Sequence, residues 1–207
     1  MSTSAHVDAE RLRRAVRSLS DPPCGPAWNA GDLADVLDAS VPLRAAAVLV
    51  PFVRRDDELS VLFTRRAGHL RHHAGQISFP GGGIDAGDVD AIAAALRETE
   101  EETGIASGDI EPFGYLDGFD TVSGYRVMPV AGFVRGAYSL NMHAAEVDEV
   151  FEVPLDFLLD GANLRREAIV WQGRARTIFA FEWQGRRIWG ATAAMLKNLI
   201  DRLEDLR

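Results

Sequence analysis

The sequence predicts an α/β protein in which a mixed β-sheet is flanked by helices, and three observations predict it. Short runs rich in β-branched and aromatic residues recur from Ala45 to Ile188. Three stretches, 8–20, 90–103 and 192–204, instead repeat their apolar residues at helical spacing. The two kinds of segment interleave irregularly along the chain. At 207 residues the chain can bury one full core and is short for two.

The elements follow in order. Residues 8–20 read as an amphipathic helix, with Leu12, Val16 and Leu19 in one stripe against four arginines. The Pro- and Gly-rich stretch 20–32 is a loop, and a short helix is expected at 33–37. Residues 1–40 are read as an N-terminal helical arm packed on a main domain of residues 41–207, since so short a segment cannot hold its own core. Strands are expected at 45–53 and 59–64, with a polar turn at 54–58 between them. A short strand at 77–79 stops at Pro80. The helix at 90–103 stops at Gly104. Further strands are expected at 110–116, 125–134, 168–172, 177–183 and 186–188, with a short helix at 154–159. The last helix, 192–204, sets Met195, Leu196, Leu199, Ile200 and Leu203 on one side. There is no internal repeat and no low-complexity tract.

Bulk properties exclude several classes. A net charge of −9 disfavours duplex nucleic acid and anionic membrane as partners. The lone Cys24 rules out an internal disulfide and fits a reducing compartment. It sits between prolines and reads as a loop residue, not a nucleophile. The first sixteen residues lack the apolar stretch of a signal peptide. The longest apolar run, 45–53, is too short to span a bilayer. A soluble, cytoplasmic protein is expected.

The most informative stretch is GGGIDAGDVDAIAAALRETEEETGI, residues 81–105. At ~100° per residue, Ile92, Leu96, Thr99 and Thr103 form one core stripe. Glu98, Glu101 and Glu102 fall together on another face, while Glu100 points elsewhere. Like charges at this spacing repel, and near Gly104 the helix dipole disfavours them further. Arg97 can pair with Glu101 but cannot neutralise all three. A divalent cation would turn the repulsion into ligation. An all-carboxylate donor set without a Cys cluster selects Mg²⁺ or Mn²⁺, not Zn²⁺. A solvated acidic face is the ordinary alternative, and the glycine turn and one-sided geometry weigh against it.

This stretch resembles a Nudix box: Gly, five residues, Glu, seven residues, then Arg-Glu-apolar-any-Glu-Glu-any-Gly-apolar. Arg97, Glu98, Glu101, Glu102, Gly104 and Ile105 match in register. Thr99 departs, standing where an apolar residue is usual. Counting from Gly83 puts Val89 where the first Glu belongs; counting from Gly82 puts Asp88 there, with one extra residue before Arg97. The coenzyme A pyrophosphatase branch of the family is similar in having the longer spacing.

Residues 62–82, LFTRRAGHLRHHAGQISFPGG, also resemble the accessory motif of that branch. Arg66, Arg71, Gly75, Phe79, Pro80, Gly81 and Gly82 fill its positions, and Ala67 stands where Ser is common. Read from the residues, Arg65, Arg66, His69, Arg71, His72 and His73 make a cationic island in an acidic protein. Arginine suits phosphate oxygens. The ordinary alternative is a solvated basic loop, and His72 and His73 singly read as polar surface residues. Gly81 to Gly83 let backbone approach a phosphate or metal. No Gly-Lys-Ser/Thr follows them, so they are not a P-loop, and Ser78 lacks a hydrolase elbow frame. The substrate-binding candidates are Arg65, Arg66, Arg71, His73, Gln76, Phe79, Gly81 and Gly82.

The acidic stretch 144–160 holds Glu146, Glu149 and Glu152. Nudix enzymes can draw a further acid from a later loop, and Glu149 and Glu152 are the candidates, against the plainer reading of a solvated acidic loop. Trp189 and Gly190 resemble the branch but read as packing and turn residues. The resemblance covers about residues 43–200. It implies an α/β/α sandwich with a mixed sheet and Mg²⁺ or Mn²⁺ held by Glu98, Glu101 and Glu102. Glu98, Glu101, Arg97 and Glu149 are implicated in catalysis. It further implies hydrolysis of coenzyme A to 3′,5′-ADP and 4′-phosphopantetheine, and a homodimer. The alternatives are a Nudix pyrophosphatase acting on ADP-ribose or another nucleoside diphosphate derivative, and a silent nucleotide-binding domain. The latter usually lacks acids of the box.

Overall fold

The computed structural model describes residues 7–38, 40–56, 58–171 and 173–206. Residues 1–6, Ala39, Asp57 and Gln172, each part of an expected element, lie outside that description.

Eight strands form the main sheet: β1 (Arg44–Arg55), β2 (Glu58–Arg66), β3 (Ile77–Ser78), β4 (Gly81–Gly83), β5 (Ile110–Tyr115), β6 (Phe119–Asp120), β7 (Tyr125–Val134) and β8 (Val147–Pro154). Its path runs β3-β2-β1-β7-β5, with β4 beside β1, β6 beside β7 and β8 beside β2. β1 and β7 are parallel and the other pairs antiparallel, so the sheet is mixed. A second, antiparallel sheet joins β9 (Arg165–Trp171), β10 (Arg174–Trp183) and β11 (Arg186–Trp189). The helices are α1 (Ala9–Ala15), α2 (Ala30–Leu33), α3 (Ala91–Thr103), α4 (Leu155–Leu159) and α5 (Ala191–Glu204).

The central strands bury both faces. On one face Ala47, Leu49, Leu62 and Val130 pack with Ala94 and Ala95 of α3. On the other, Phe52 and Phe63 pack with Leu196 and Leu199 of α5, Phe181 and Ile188 of the second sheet, and Leu12 of α1. The result is the expected α/β/α sandwich. Side chains alternate across a strand, so β2 sorts its residues by parity. Leu62, Thr64 and Arg66 face α3, while Phe63 and Arg65 face the other way. Among the described residues no helix is long and apolar enough to cross a membrane.

The short strands β4 and β6 were not expected, and three further elements differ from expectation. α1 is shorter than 8–20, because Val16 is already extended and Arg17 exchanges backbone hydrogen bonds of 2.8 and 2.9 Å with Tyr115 on the edge strand β5. α2 lies just before the expected 33–37. The stretch read as an acidic loop at 144–160 contains strand β8. Its apolar alternation, Val147, Phe151 and Val153, is broken up by Asp148, Glu149 and Glu152. Tertiary partners satisfy each acid: Glu149 pairs with Arg65 and Arg186, and Glu152 with Arg55 and Tyr138. Asp148 accepts the Gly68 N–H at 2.8 Å.

Candidate active site

α3 starts at Asp90, whose carboxylate accepts the Ala93 N–H at 2.8 Å, and stops at Gly104 in the left-handed conformation. Thr99 and Thr103 are buried as expected. Their hydroxyls donate back to Ala95 O and Thr99 O at 2.6 Å, which is how a threonine fits a core position here. The buried face is wider than the predicted stripe: Ala94, Ala95 and Glu102 lie within it, while Ile92 and Leu96 are only partly covered.

The three glutamates therefore meet different surroundings. Glu102 is 3% exposed, the Glu98 side chain 17% and the Glu101 side chain 57%. Arg97 ties two of them together, its Nη1 donating to Glu98 at 2.9 Å and Glu101 at 3.2 Å. Its Nη2 also reaches Gly83 O at 3.2 Å. Arg97 is aimed by Asp88, which accepts from Nε and Nη2 at 3.0 Å each. The bonds from Arg97 hold the Asp88 carboxyl below its ordinary value. They also hold the arginine proton more tightly. Val89 is 89% exposed. Of the two residues that could stand at the acid position of the box, Asp88, in the register counted from Gly82, meets Arg97 and Val89 faces solvent.

Glu102 is held by the segment before the helix. Its carboxyl receives the Gly81 N–H and lies 3.5 Å from the Thr64 hydroxyl and 3.9 Å from Arg66 Nη1. Burial pushes its pKa up to about 8; Arg66 and the Gly81 N–H oppose this, and the charges of Glu98 and Glu146 add to it. Burial raises Glu98 as well, against the bond from Arg97 and with the charges of Glu101 and Glu146. The glycines of β4 make room for this packing. A Cβ on Gly82 would stand 2.5 Å from the Glu98 carboxyl carbon, and one on Gly81 would stand 2.4 Å from Ala47 O.

A later acid, Glu146, acts on the pair through its charge. Residues 141–143 cap the end of α3, the N–H groups of Asn141 and His143 donating to Thr103 O and Glu102 O at 2.9 and 3.2 Å. The chain then turns through Glu146, whose charge acts on both Glu98 and Glu102. Its carboxylate also lies 3.3 Å from His143 Nδ1. Glu149 is on the opposite face of the sheet, 2.8 Å from Arg65 and 2.6 Å from Arg186. Glu149 shares its strand parity with Phe151 and Val153, and that was the signal that could have placed it on their face. Arg186, which sequence reasoning passed over, comes to Glu149 from the second sheet.

The candidate substrate contacts divide similarly. Arg66 faces the carboxylates and Arg65 does not. After the buried Ala67, residues 68–75 form a largely exposed loop closed at its base by Arg66 N to Gln76 O (2.9 Å) and Gly75 N to Arg66 O (3.0 Å). It presents Arg71 without an ion pair among the described residues. His73 Nδ1 donates to Gln76 Oε1 at 2.8 Å, so these two brace the loop against each other. Phe79 is 2% exposed and stacks on Phe63 at 5.2 Å, so its part is packing.

Carboxylate oxygens are hard donors, and Glu98 and Glu102 suit Mg²⁺-like ions. Gly82 gives Glu98 the close approach, and the raised pKa values mean that a cation would relieve an existing electrostatic cost. Among the described residues no three acidic, His or Cys side chains converge as they stand. Glu101, bonded to Arg97, is the most exposed of the three.

Residues 43–172 match the model of the NUDIX domain family. A protein of Escherichia coli (strain K12) named an uncharacterized Nudix hydrolase, NudL, is 40% identical over 156 residues, 75% of this chain and 81% of that protein. The protein of the same name from Escherichia fergusonii has the same identity and coverage. The crystal structure of a MutT/nudix family protein from Enterococcus faecalis aligns with a TM-score of 0.51 at 20% identity, over 82% of this chain and 65% of that one. That last likeness is one of fold.

Proposed function

We propose, from the premise that this chain belongs to the Nudix hydrolase family, that it hydrolyses the pyrophosphate bond of coenzyme A or one of its derivatives. The observation that carries the choice of substrate is the accessory segment 62–82. It runs through β2, the cationic loop and β4, with Arg66 turned to Glu102 and Arg71 exposed beside it. Coenzyme A offers a diphosphate and a 3′-phosphate, which is the chemistry such arginines take. Glu98, Glu101 and Glu102 are all present, which favours an enzyme over a silent binding domain.

In this reading Glu98 and Glu102, with Glu101 on the same helix face, would hold Mg²⁺ or Mn²⁺. The ion, when bound, neutralises the diphosphate and makes a water more acidic. Glu146 accepts the proton of the attacking water, a role its place beside both glutamates supports better than that of Glu149. Arg66 and Arg71 bind phosphate oxygens, and Arg97 positions the glutamates. Water adds to one phosphorus, the bridging P–O bond breaks, and the products are 3′,5′-ADP and 4′-phosphopantetheine. Within the N-terminal segment 1–40, the described residues serve as an arm of this single catalytic domain, tied by Arg11 to Leu203 O (3.1 Å) and by Asn29 to Asp120.

The test is product identification by mass spectrometry after incubation with coenzyme A and Mg²⁺ or Mn²⁺, beside a metal-free control. Metal-dependent formation of both products supports the reading. No turnover with either metal defeats the coenzyme A assignment, and cleavage of ADP-ribose in parallel replaces it. Glu98→Gln and Glu102→Gln should each lower turnover by at least about a hundredfold.

A further inference from the structure

β2 carries one polar side chain deep in its α3-facing row. Thr64 is fully buried, between the equally buried Leu62 and the half-buried Arg66. Burying a hydroxyl costs free energy unless it is hydrogen-bonded, and valine would suit a strand position of this shape. The hydroxyl has three polar neighbours: Glu102 Oε2 at 3.5 Å, Ser78 Oγ at 3.4 Å and Ser78 O at 3.5 Å. Its single proton can serve either the carboxylate or the carbonyl. An ionised acceptor makes the stronger bond, so once Glu102 has lost its proton, as cation binding requires, the Thr64 proton goes to it. The Thr64 oxygen is then free to accept from Ser78 Oγ–H. The two hydroxyls form a short relay, each polarising the next.

The relay is mounted rigidly. Thr64 pairs with Ser78 of β3 on one side and Val150 of β8 on the other. Glu102 hangs from the last turn of a helix, and its carboxyl could rotate about its own torsions. The Gly81 N–H and Arg66 bear on it as well, so three contacts from the segment before the helix surround one carboxylate.

We propose that Thr64 is a positioning residue of the metal-dependent reaction: its hydroxyl, backed by Ser78, holds the Glu102 carboxylate in the orientation in which it takes a divalent cation. This rests on the reading of Glu102 as a metal ligand. It gives the Thr-x-Arg start of the accessory segment a structural task distinct from gripping substrate.

The experiment measures Mn²⁺ binding to the full chain without substrate, by the electron paramagnetic resonance of free Mn²⁺, for T64V, T64S, S78A and E102Q. Thermal unfolding of each variant is followed alongside. T64V should weaken Mn²⁺ binding by about tenfold, the effect of one hydrogen bond to a charged group. T64S should restore it, and S78A should weaken it by about threefold. In turnover assays T64V should lower kcat and leave KM unchanged. In the E102Q background T64V should add nothing. A folded T64V that binds Mn²⁺ as tightly as the parent overturns the proposal while E102Q remains defective. Should T64V fail to fold, an S78A protein with unaltered Mn²⁺ affinity overturns it. An E102Q protein that binds Mn²⁺ like the parent removes Glu102 from the metal site, and both readings fall together.

Discussion

Arg97 and Asp88 are joined by two parallel hydrogen bonds of 3.0 Å, Nε to Oδ1 and Nη2 to Oδ2. The remaining nitrogen, Nη1, is thereby aimed between Glu98 and Glu101. Asp88 orients the arginine, and the arginine orients two glutamates. Asp88→Asn leaves one acceptor and should cut kcat by about tenfold, the effect of misplacing a positioned group. Val89→Glu should not rescue it, because that side chain points to solvent. Steady-state kinetics of the single and double variants decide this; rescue by Val89→Glu would mean that the register counted from Gly83 is the operative one.

Gly82→Ala puts a methyl group 2.5 Å from the Glu98 carboxyl carbon. The side chain can swing away, so the fold should persist while the carboxylate leaves its place. Turnover should drop by about a hundredfold, with circular dichroism unchanged. Near-normal turnover in the alanine variant would show that Glu98 need not lie against β4.

The charge of Glu146 acts on Glu98 and Glu102, whereas Glu149 is on the face of the sheet away from α3, so their loss should be told apart. Glu146→Gln should lower kcat by about a hundredfold, within the range for a general base. Glu149→Gln strips two partly exposed arginines of their partner and should lower stability by about 1 kcal/mol, with kcat nearly intact. Paired measurements of kcat and Tm are the check. The reverse pattern would return the proton-accepting role to Glu149.

The raised pKa of Glu102 makes stability depend on pH when no cation is bound. Its value is about 8 in the fold against an ordinary 4.5 in the unfolded chain. Between those values the folded state keeps a proton that the unfolded state has lost. Stability therefore falls as pH rises through that window and is flat outside it. Cation binding displaces the same proton, so stabilisation by Mg²⁺ should grow over the same range. Tm recorded with chelator and with Mg²⁺ from about pH 5 to about pH 8.5 tests both statements. Glu102→Gln should flatten the metal-free profile; a variant with the parental slope would assign the proton elsewhere.

Much of the fold was legible because it is written in short-range periodicity. The pattern of α3 and its stop at Gly104 is local, and so is the alternation of β7, predicted at 125–134 and found at Tyr125–Val134. β8 escaped because three acids interrupt its apolar residues, and Arg65, Arg186, Arg55, Tyr138 and the Gly68 N–H make them tolerable there. β4 and β6 are three and two residues long, too short to display a period.

By itself the sequence determined that a helix carries Glu98, Glu101 and Glu102 on one face, Glu98 and Glu102 one turn apart, that Arg97 lies beside them, and that a cationic segment precedes them. It could not determine which glutamate is buried, which of Arg65 and Arg66 turns toward them, or that Glu146 is the later acid beside them. Helical and strand periods set the angles between neighbouring side chains. What stands opposite each side chain is supplied by Thr64, Gly81 and Glu146, from other strands and loops, and so those surroundings, and the pKa values they impose, were decided by the tertiary structure alone.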